Sequence, residues 1–213
     1  MKEKEFVEID YIGSVRETSE PFDFTTGEAA KKYGVEKPVV IIIGAGHVMR
    51  GLDEEIKKHK VGDEFEVEIP PDKAFGPRSS KLVKLIPFRE FKKHDLSPYP
   101  GMRVDFDGLP GRVRSVSGGR VIVDFNHPLA GKTLHYWVRI NRKVTKRKEK
   151  VESILEFYDL KEFKTRFSKE KLVVTAEKPV PEHVQGALKA AIEEHIGLKM
   201  VNFQQKVNQQ KSK

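Results

Sequence analysis

The sequence predicts an α+β fold in which antiparallel strands dominate and helices are few and segregated. Three observations lead there. Apolar residues alternate at period two through Val7, Ile9 and Tyr11, through Phe65, Val67 and Ile69, and again through Met102, Val104 and Phe106. The first helical signal, Leu52 and Ile56, is short and runs into another alternating strand, so no βαβ crossover is built. Sustained four-residue spacing returns only beyond about residue 150.

Taken in order, Val7, Ile9 and Tyr11 against Glu8 and Asp10 give a first strand with one dry face. Ser19-Glu20-Pro21 is a turn, after which Phe22-Asp23 stands before Thr25-Thr26-Gly27. Residues 27–38 read as a small insertion with one helical turn. Val39 to Ile43 are β-branched throughout and read as a buried strand entering Gly44-Ala45-Gly46. The helix that follows carries Asp53, Glu54 and Glu55 in its first turn. Lys57, Lys58 and Lys60 stand at its end, as the helix dipole favours. A strand followed by Gly44-Ala45-Gly46 imitates a dinucleotide-binding fingerprint. The next glycine is Gly51, two residues late, and the helix is too short for that unit.

Beyond Gly76 the pattern changes. Leu82 to Phe91 mixes apolar and basic residues, and Ser97-Pro98-Tyr99-Pro100-Gly101 is a rigid loop. Three short strands follow around Met102–Phe106, Val113–Ser115 and Val121–Phe125, with Asp107-Gly108 and Gly118-Gly119 as hairpin turns. Tyr136, Val138 and Ile140 form a further strand, with Trp137 on its other face. Asn141 to Lys150 is mostly positive and reads as a linker. Val151, Ile154, Leu155 and Tyr158 share one helical face, and Leu172 to Thr175 reads as a strand. A second helix runs from Pro181 to Gly197 with Val184, Leu188, Ile192 and Ile196 every four residues. Met200 to Phe203 read as a last strand. The final ten residues are rich in Gln and Lys and read as a frayed end.

Composition narrows the function. There is no cysteine, hence no disulfide or thiol chemistry. The seven histidines have no ligand spacing, so no metal and no cofactor are expected. No apolar run approaches about 18 residues, and the first thirty residues are not a signal peptide. A cytoplasmic protein without a membrane partner is the expectation. Residues 1–80 carry 12 Lys/Arg against 17 Asp/Glu, net −5, and residues 81–213 carry 28 against 15, net +13. A basic half suits an acidic or phosphate-bearing partner, although a lysine-rich surface also serves solubility.

Four separated stretches carry a family resemblance: Phe22-Asp23, Val48-Met49-Arg50-Gly51-Leu52, Pro70-Pro71-Asp72-Lys73-Ala74-Phe75-Gly76 and Asn126 through Leu134 (NHPLAGKTL). In this order and spacing they resemble the FK506-binding-protein (FKBP) class of peptidyl-prolyl cis-trans isomerases, and within it the SlyD-like branch. The resemblance spans roughly residues 5–145. It implies an antiparallel β half-barrel around a short helix, formed by residues 1–82 and 127–145. An inserted all-β unit, the insert-in-flap chaperone domain, would cover residues 83–126, and a C-terminal α+β domain residues 150–213. In so small a C-terminal unit two helices and a few strands bury little area alone, so docking or a homodimer through it is expected.

Rotation about an Xaa-Pro bond faces a barrier of about 18–20 kcal/mol. Its transition state is a twisted amide without resonance, so neither nucleophile nor acid–base pair is required. An apolar pocket disfavours the planar, charge-separated amide, and fixed dipoles hold the twisted carbonyl. The resemblance assigns that pocket to Tyr11, Phe22, Asp23, Val39, Val48, Met49, Leu52, Phe75 and Tyr136. Leu52 would be the floor, where other members carry Trp, and Phe22 and Tyr136 the walls. The Met49 N–H would hold a substrate carbonyl, and Tyr11 and Asp23 would pair at the rim. Phe75 stands where the family has Tyr, so one hydroxyl donor is missing. In the insert, Phe88, Phe91, Leu96, Tyr99 and Met102 would contact unfolded polypeptide, some of them also filling the insert's own core. Two other functions stay open: a polypeptide-binding chaperone without catalysis, and an adaptor docking on ribosomes or nucleic acid. For the last, Arg112, Arg114 and Arg120 lack an aromatic stacking platform.

Overall fold

The computed structural model describes residues 1–168 and 170–206. In chain order the first elements are β1 (Phe6–Val15), β2 (Pro21–Phe24), α1 (Gly27–Tyr33), β3 (Val39–Ile42), α2 (Arg50–Ile56) and β4 (Glu64–Ile69). They are followed by β5 (Val83–Pro87), α3 (Phe88–Lys92), β6 (Arg103–Phe106), β7 (Leu109–Ser117) and β8 (Arg120–Asp124). The chain continues through β9 (Leu134–Lys143), α4 (Arg147–Phe157), β10 (Phe163–Ser168), β11 (Lys171–Ala176), α5 (Glu182–Ile196) and β12 (Met200–Gln205). The α+β expectation holds. β2, β5, α3 and β10 were not foreseen, because each is short and shows too few alternations to stand out from loop. The expected frayed end falls mainly on residues 207–213, outside the described residues.

The chain forms two compact units. One comprises Met1–Gly13, Pro21–Val67 and the described residues from Tyr136 onward; the other comprises Ser14–Glu20 and Glu68–His135. In the first unit the strand order is β2-β1-β9-β4, with β3 also pairing antiparallel to β1 from Phe6↔Ile42 to Ile9↔Val39. Val7, Ile9, Leu52, Ile56, Val138 and Ile140 are all buried. The alternation that predicted the strands is therefore the alternation of the core.

A second sheet of the same unit has the order β10-β11-β12. Its β10–β11 pair is antiparallel, and β11–β12 is parallel, bridged by α5. Gly197 ends α5 at φ 75°, the left-handed region where glycine carries no Cβ penalty. This region is not separate from residues 1–67. Phe6, Ile42 and Val144 share one core with Val151, Ile154, Leu155, Leu172, Val174, Leu188 and Ile192. Burial of each large aliphatic side chain there stabilises by about 1.5–3 kcal/mol. Residues beyond 150 are thus packed against the first strands within one core.

The structure corrects the linker. β9 runs through Lys143, and Val144 is buried while its N–H donates to the Phe6 carbonyl at 2.8 Å. Arg142 reaches Glu8 and Glu149, each at 2.7 Å. The basic run is thus a pair of element ends stitched to acidic partners. Residues 27–38 likewise hold more order than expected: α1 spans seven residues, buries Ala30, and closes on Gly34 at φ 66°.

The second unit contains the sheet β5-β8-β7-β6, antiparallel at each junction. Phe91, Val113, Val121 and Val123 form its core, with Phe88, Met102, Val104 and Phe106 packed against them. Both expected hairpin turns are present, with Asp107, Gly108, Gly118 and Gly119 all at positive φ. No helix among the described residues is long and apolar enough to cross a membrane.

Candidate active site

The site is built from β1, β2, β9 and the loop into α2. Tyr11 continues the inward face of Val7 and Ile9 to where the core thins, and is half-buried. Its backbone is held by Thr25: the Tyr11 N–H donates to Thr25 Oγ1 at 2.9 Å, and the Thr25 N–H donates to the Tyr11 carbonyl at 2.9 Å. β2 thereby presents Phe22 and Asp23 beside β1. The Tyr11 hydroxyl donates to Asp23 Oδ1 at 3.0 Å, the expected rim pair.

Tyr136 comes from β9 and is buried. Phe22 meets it edge-on, with ring centroids 5.9 Å apart and planes at 84°, and Tyr11 lies at 6.0 Å and 50°. Such geometries suit the quadrupoles of aromatic rings. Gly13 makes room for this cluster. A Cβ there would sit 2.6 Å from Tyr136 Cε1.

The loop into α2 is pinned by Asp53, which is largely buried. Its Oδ1 accepts from the Gly44 N–H at 2.9 Å and its Oδ2 meets Lys57 Nζ at 2.8 Å. Gly44 is at φ 81°, and a side chain there would overlap the Glu3 carboxylate. Met49 caps α2 in extended conformation, its carbonyl accepting from the Leu52 and Asp53 N–H groups at 3.0 Å each. A capping residue's own N–H lies outside the helix ladder. Leu52 is fully buried.

A cleft of about 130 Å³ opens beside these residues. Tyr11, Val39, Ile41, His47 and Val48 line one side, and Ser153, Glu156 and Phe157 of α4 the other.

Electrostatics favour neutral hydroxyls. Burial, with the nearby Asp23 charge, pushes both the Tyr11 and Tyr136 hydroxyls above the ordinary tyrosine range. Asp23 retains exposed surface, yet neighbouring protein displaces water from its carboxyl and raises it, against the lowering effect of the Tyr11 hydrogen bond. Tyr11 is therefore a fixed donor and dipole, not a proton-transfer group. The described residues hold no group of three or more His, Asp or Glu arranged to bind a metal. The arrangement is a cluster of three aromatic rings with one hydroxyl held to a carboxylate.

Of the sequence-predicted residues, the structure gathers Tyr11, Phe22, Asp23 and Tyr136 into one cluster, and Val39 and Val48 join Tyr11 in the cleft. Phe75 belongs to the other unit, where it stacks on His127 with centroids 4.1 Å apart. In the insert, Phe91 is 1% exposed at the heart of the sheet's core, which corrects its expected place on a client-binding face. Phe88 and Met102 also pack against that core, while Leu96 and Tyr99 are exposed at 40% and 62%. Sequence reasoning missed Leu85 and Ile122, both exposed and directly opposite each other across β5 and β8. It also missed Gly13, Thr25, His47 and Phe157. Only Gly13 carried a local signal, as a lone glycine inside an alternating strand.

Residues 1–90 match the profile described as FKBP-type peptidyl-prolyl cis-trans isomerase, and residues 84–129 match that of the FKBP26 IF domain. The short-type peptidyl-prolyl cis-trans isomerase of Methanocaldococcus jannaschii is 34% identical over 146 residues, covering 66% of this chain and 92% of the relative. The FKBP-type 16 kDa peptidyl-prolyl cis-trans isomerase of Escherichia coli is 36% identical over 123 residues, 55% of this chain and 80% of the relative. The SlyD isomerase of Helicobacter pylori is 32% identical over 110 residues, 49% of this chain and 58% of the relative.

Proposed function

Because the chain belongs to the FKBP-type peptidyl-prolyl cis-trans isomerases and is SlyD-like, we propose that it accelerates Xaa-Pro isomerisation in folding polypeptides, with residues 83–126 acting as an insert-in-flap chaperone domain. The cluster of Tyr11, Phe22 and Tyr136 is the observation that carries the pocket assignment. The proline ring lies against Phe22 and above Leu52. As the bond twists, the amide loses resonance and charge separation, and an apolar surround favours that form over the planar one. The Met49 N–H supplies a dipole that needs no reorganisation during the turn, while the Tyr11 hydroxyl stays committed to Asp23 at the rim. No proton is transferred, which agrees with tyrosines held neutral by burial.

The chaperone part rests on the insert's exposed apolar groups. Leu85 at 57%, Ile122 at 37%, Leu96 at 40% and Tyr99 at 62% lie outside its core. Isolated exposed apolar residues are ordinary, but a cross-strand pair such as Leu85 and Ile122 is a surface an unfolded chain can cover. Covalent tethering of such a surface to the pocket makes capture of the proline intramolecular, with gains of about 10²–10⁴ when the geometry allows.

The test replaces residues 83–126 with a short Gly-containing loop. Turnover of an Xaa-Pro tetrapeptide is expected to stay within a few-fold, roughly the scatter of uncoupled sites. Catalysed refolding of a proline-limited protein is expected to fall far more, and suppression of aggregation to weaken. Equal losses on both substrates would mean that the insert shapes the pocket, and no loss on either would remove its chaperone role.

A further inference from the structure

The cleft beside the candidate pocket has a wall that no FKBP-type motif supplies. That wall is the C-terminal end of α4. Phe157 lies flat on His47, with ring centroids 3.8 Å apart and planes 3° from parallel. α4 is not free to carry Phe157 away, because Val151, Ile154 and Leu155 on the same helix are buried in the shared core. Glu156, next to Phe157, accepts from Lys37 Nζ through both carboxylate oxygens at 2.9 Å. Phe157 nevertheless remains 48% exposed, with Tyr158 meeting it edge-on at 5.7 Å.

Two of the polar side chains in the cleft are already engaged, while His47 Nδ1 is buried without a hydrogen-bond partner among the described residues. The Ser153 hydroxyl donates to the Lys150 carbonyl at 2.9 Å, and Glu156 is tied to Lys37. His47 is kept neutral at ordinary pH, since burial first and His195 second push it down to about 4. What remains for a visitor is apolar: Val39, Ile41, Val48, the flat of His47 and the ring of Phe157. The volume of about 130 Å³ is side-chain sized. A cavity of about 150 Å³ accepts a benzene ring. Tyr11 belongs to both this cleft and the aromatic cluster, and the family resemblance assigns Val39 and Val48 to the proline pocket as well, so the cleft adjoins the site proposed for the proline.

We infer that Phe157, with His47 and Val39, forms a specificity subsite that takes an apolar side chain of the substrate polypeptide flanking the proline. The C-terminal region is then part of the enzyme's substrate-reading surface. This inference rests on the isomerase assignment of the neighbouring pocket.

The experiment uses the full chain and two tetrapeptide series. In one the residue before proline changes from Gly to Leu, and in the other the residue after it. In the unmodified protein kcat/KM rises from Gly to Leu in at least one series. Phe157→Ala reduces that rise by about fourfold, the effect of one buried methylene. The change lies in KM, the Gly peptides are turned over as before, and Phe157→Leu restores part of the preference. The unchanged Gly peptides show that the variant is folded. A uniform loss across all peptides, or an unchanged Leu preference, overturns the subsite. Failure of the unmodified protein to isomerise any peptide would instead overturn the isomerase reading on which it stands.

Discussion

Gly13 is the smallest residue of the candidate pocket and the one on which Tyr136 rests. With a Cβ 2.6 Å from Tyr136 Cε1, Gly13→Ala must push the buried ring aside. Overpacking of this kind costs about 1–3 kcal/mol. The expected outcome is a melting temperature lower by several degrees and a reduced kcat/KM, because the ring that Phe22 abuts has moved; an unchanged melting curve and rate would show that Tyr136 does not rest there. Much at this scale was legible. Tyr11, Phe22, Asp23 and Tyr136 were marked by family order, and the structure brings all four together. Thr25 was not, because its hydrogen bonds to Tyr11 join positions 14 residues apart, and no periodicity reports such a contact. Phe91 misled for the reverse reason: among basic residues an apolar ring looks exposed, while α3, unforeseen, turns it into the sheet's core.

Between elements, the contact of α4 with the Gly44–Met49 loop has a pH signature. His47 is lowered from its ordinary value of 6.5 to about 4, chiefly by burial. The unfolded chain therefore binds this proton more readily than the folded one between those values. Stability from this site is complete above about pH 6.5, and is lost as pH falls through the window down to about 4. Glu5, Glu55, Asp63 and Glu149 are lowered by their ion-pair and hydrogen-bond partners and add losses at still lower pH, so a comparison is needed. His47→Phe keeps a flat ring against Phe157 without the titration. Denaturant unfolding at pH 7 and pH 4.5 is expected to show a larger drop for the unmodified protein than for His47→Phe. Equal drops would show that His47 does not sense burial at this contact. The strands and helices that meet here were each readable from alternation and four-residue spacing. Their meeting was not: Val144 and Phe6 are far apart in sequence, and a basic run hid the ordered end of β9.

For the molecule as a whole, the sequence suggested that residues beyond 150 bury little area alone, and the structure places them in a core shared with Phe6 and Ile42. It did not show which surface they would cover, since hydrophobic pattern tells which face is dry but not what lies against it. The central claim is the pocket of Tyr11, Phe22, Leu52 and Tyr136, and its most direct test is Phe22→Ala. Phe22 is half-buried on the edge strand β2, so its removal leaves the main core intact. The measurement is kcat/KM for cis-to-trans isomerisation of a short Xaa-Pro peptide, with circular dichroism confirming the fold. The account predicts a clear rate enhancement by the unmodified protein and a loss of about tenfold or more in the variant, as removal of one wall re-admits water to the twisting amide. A folded Phe22→Ala protein that turns the peptide over at the unmodified rate would contradict it.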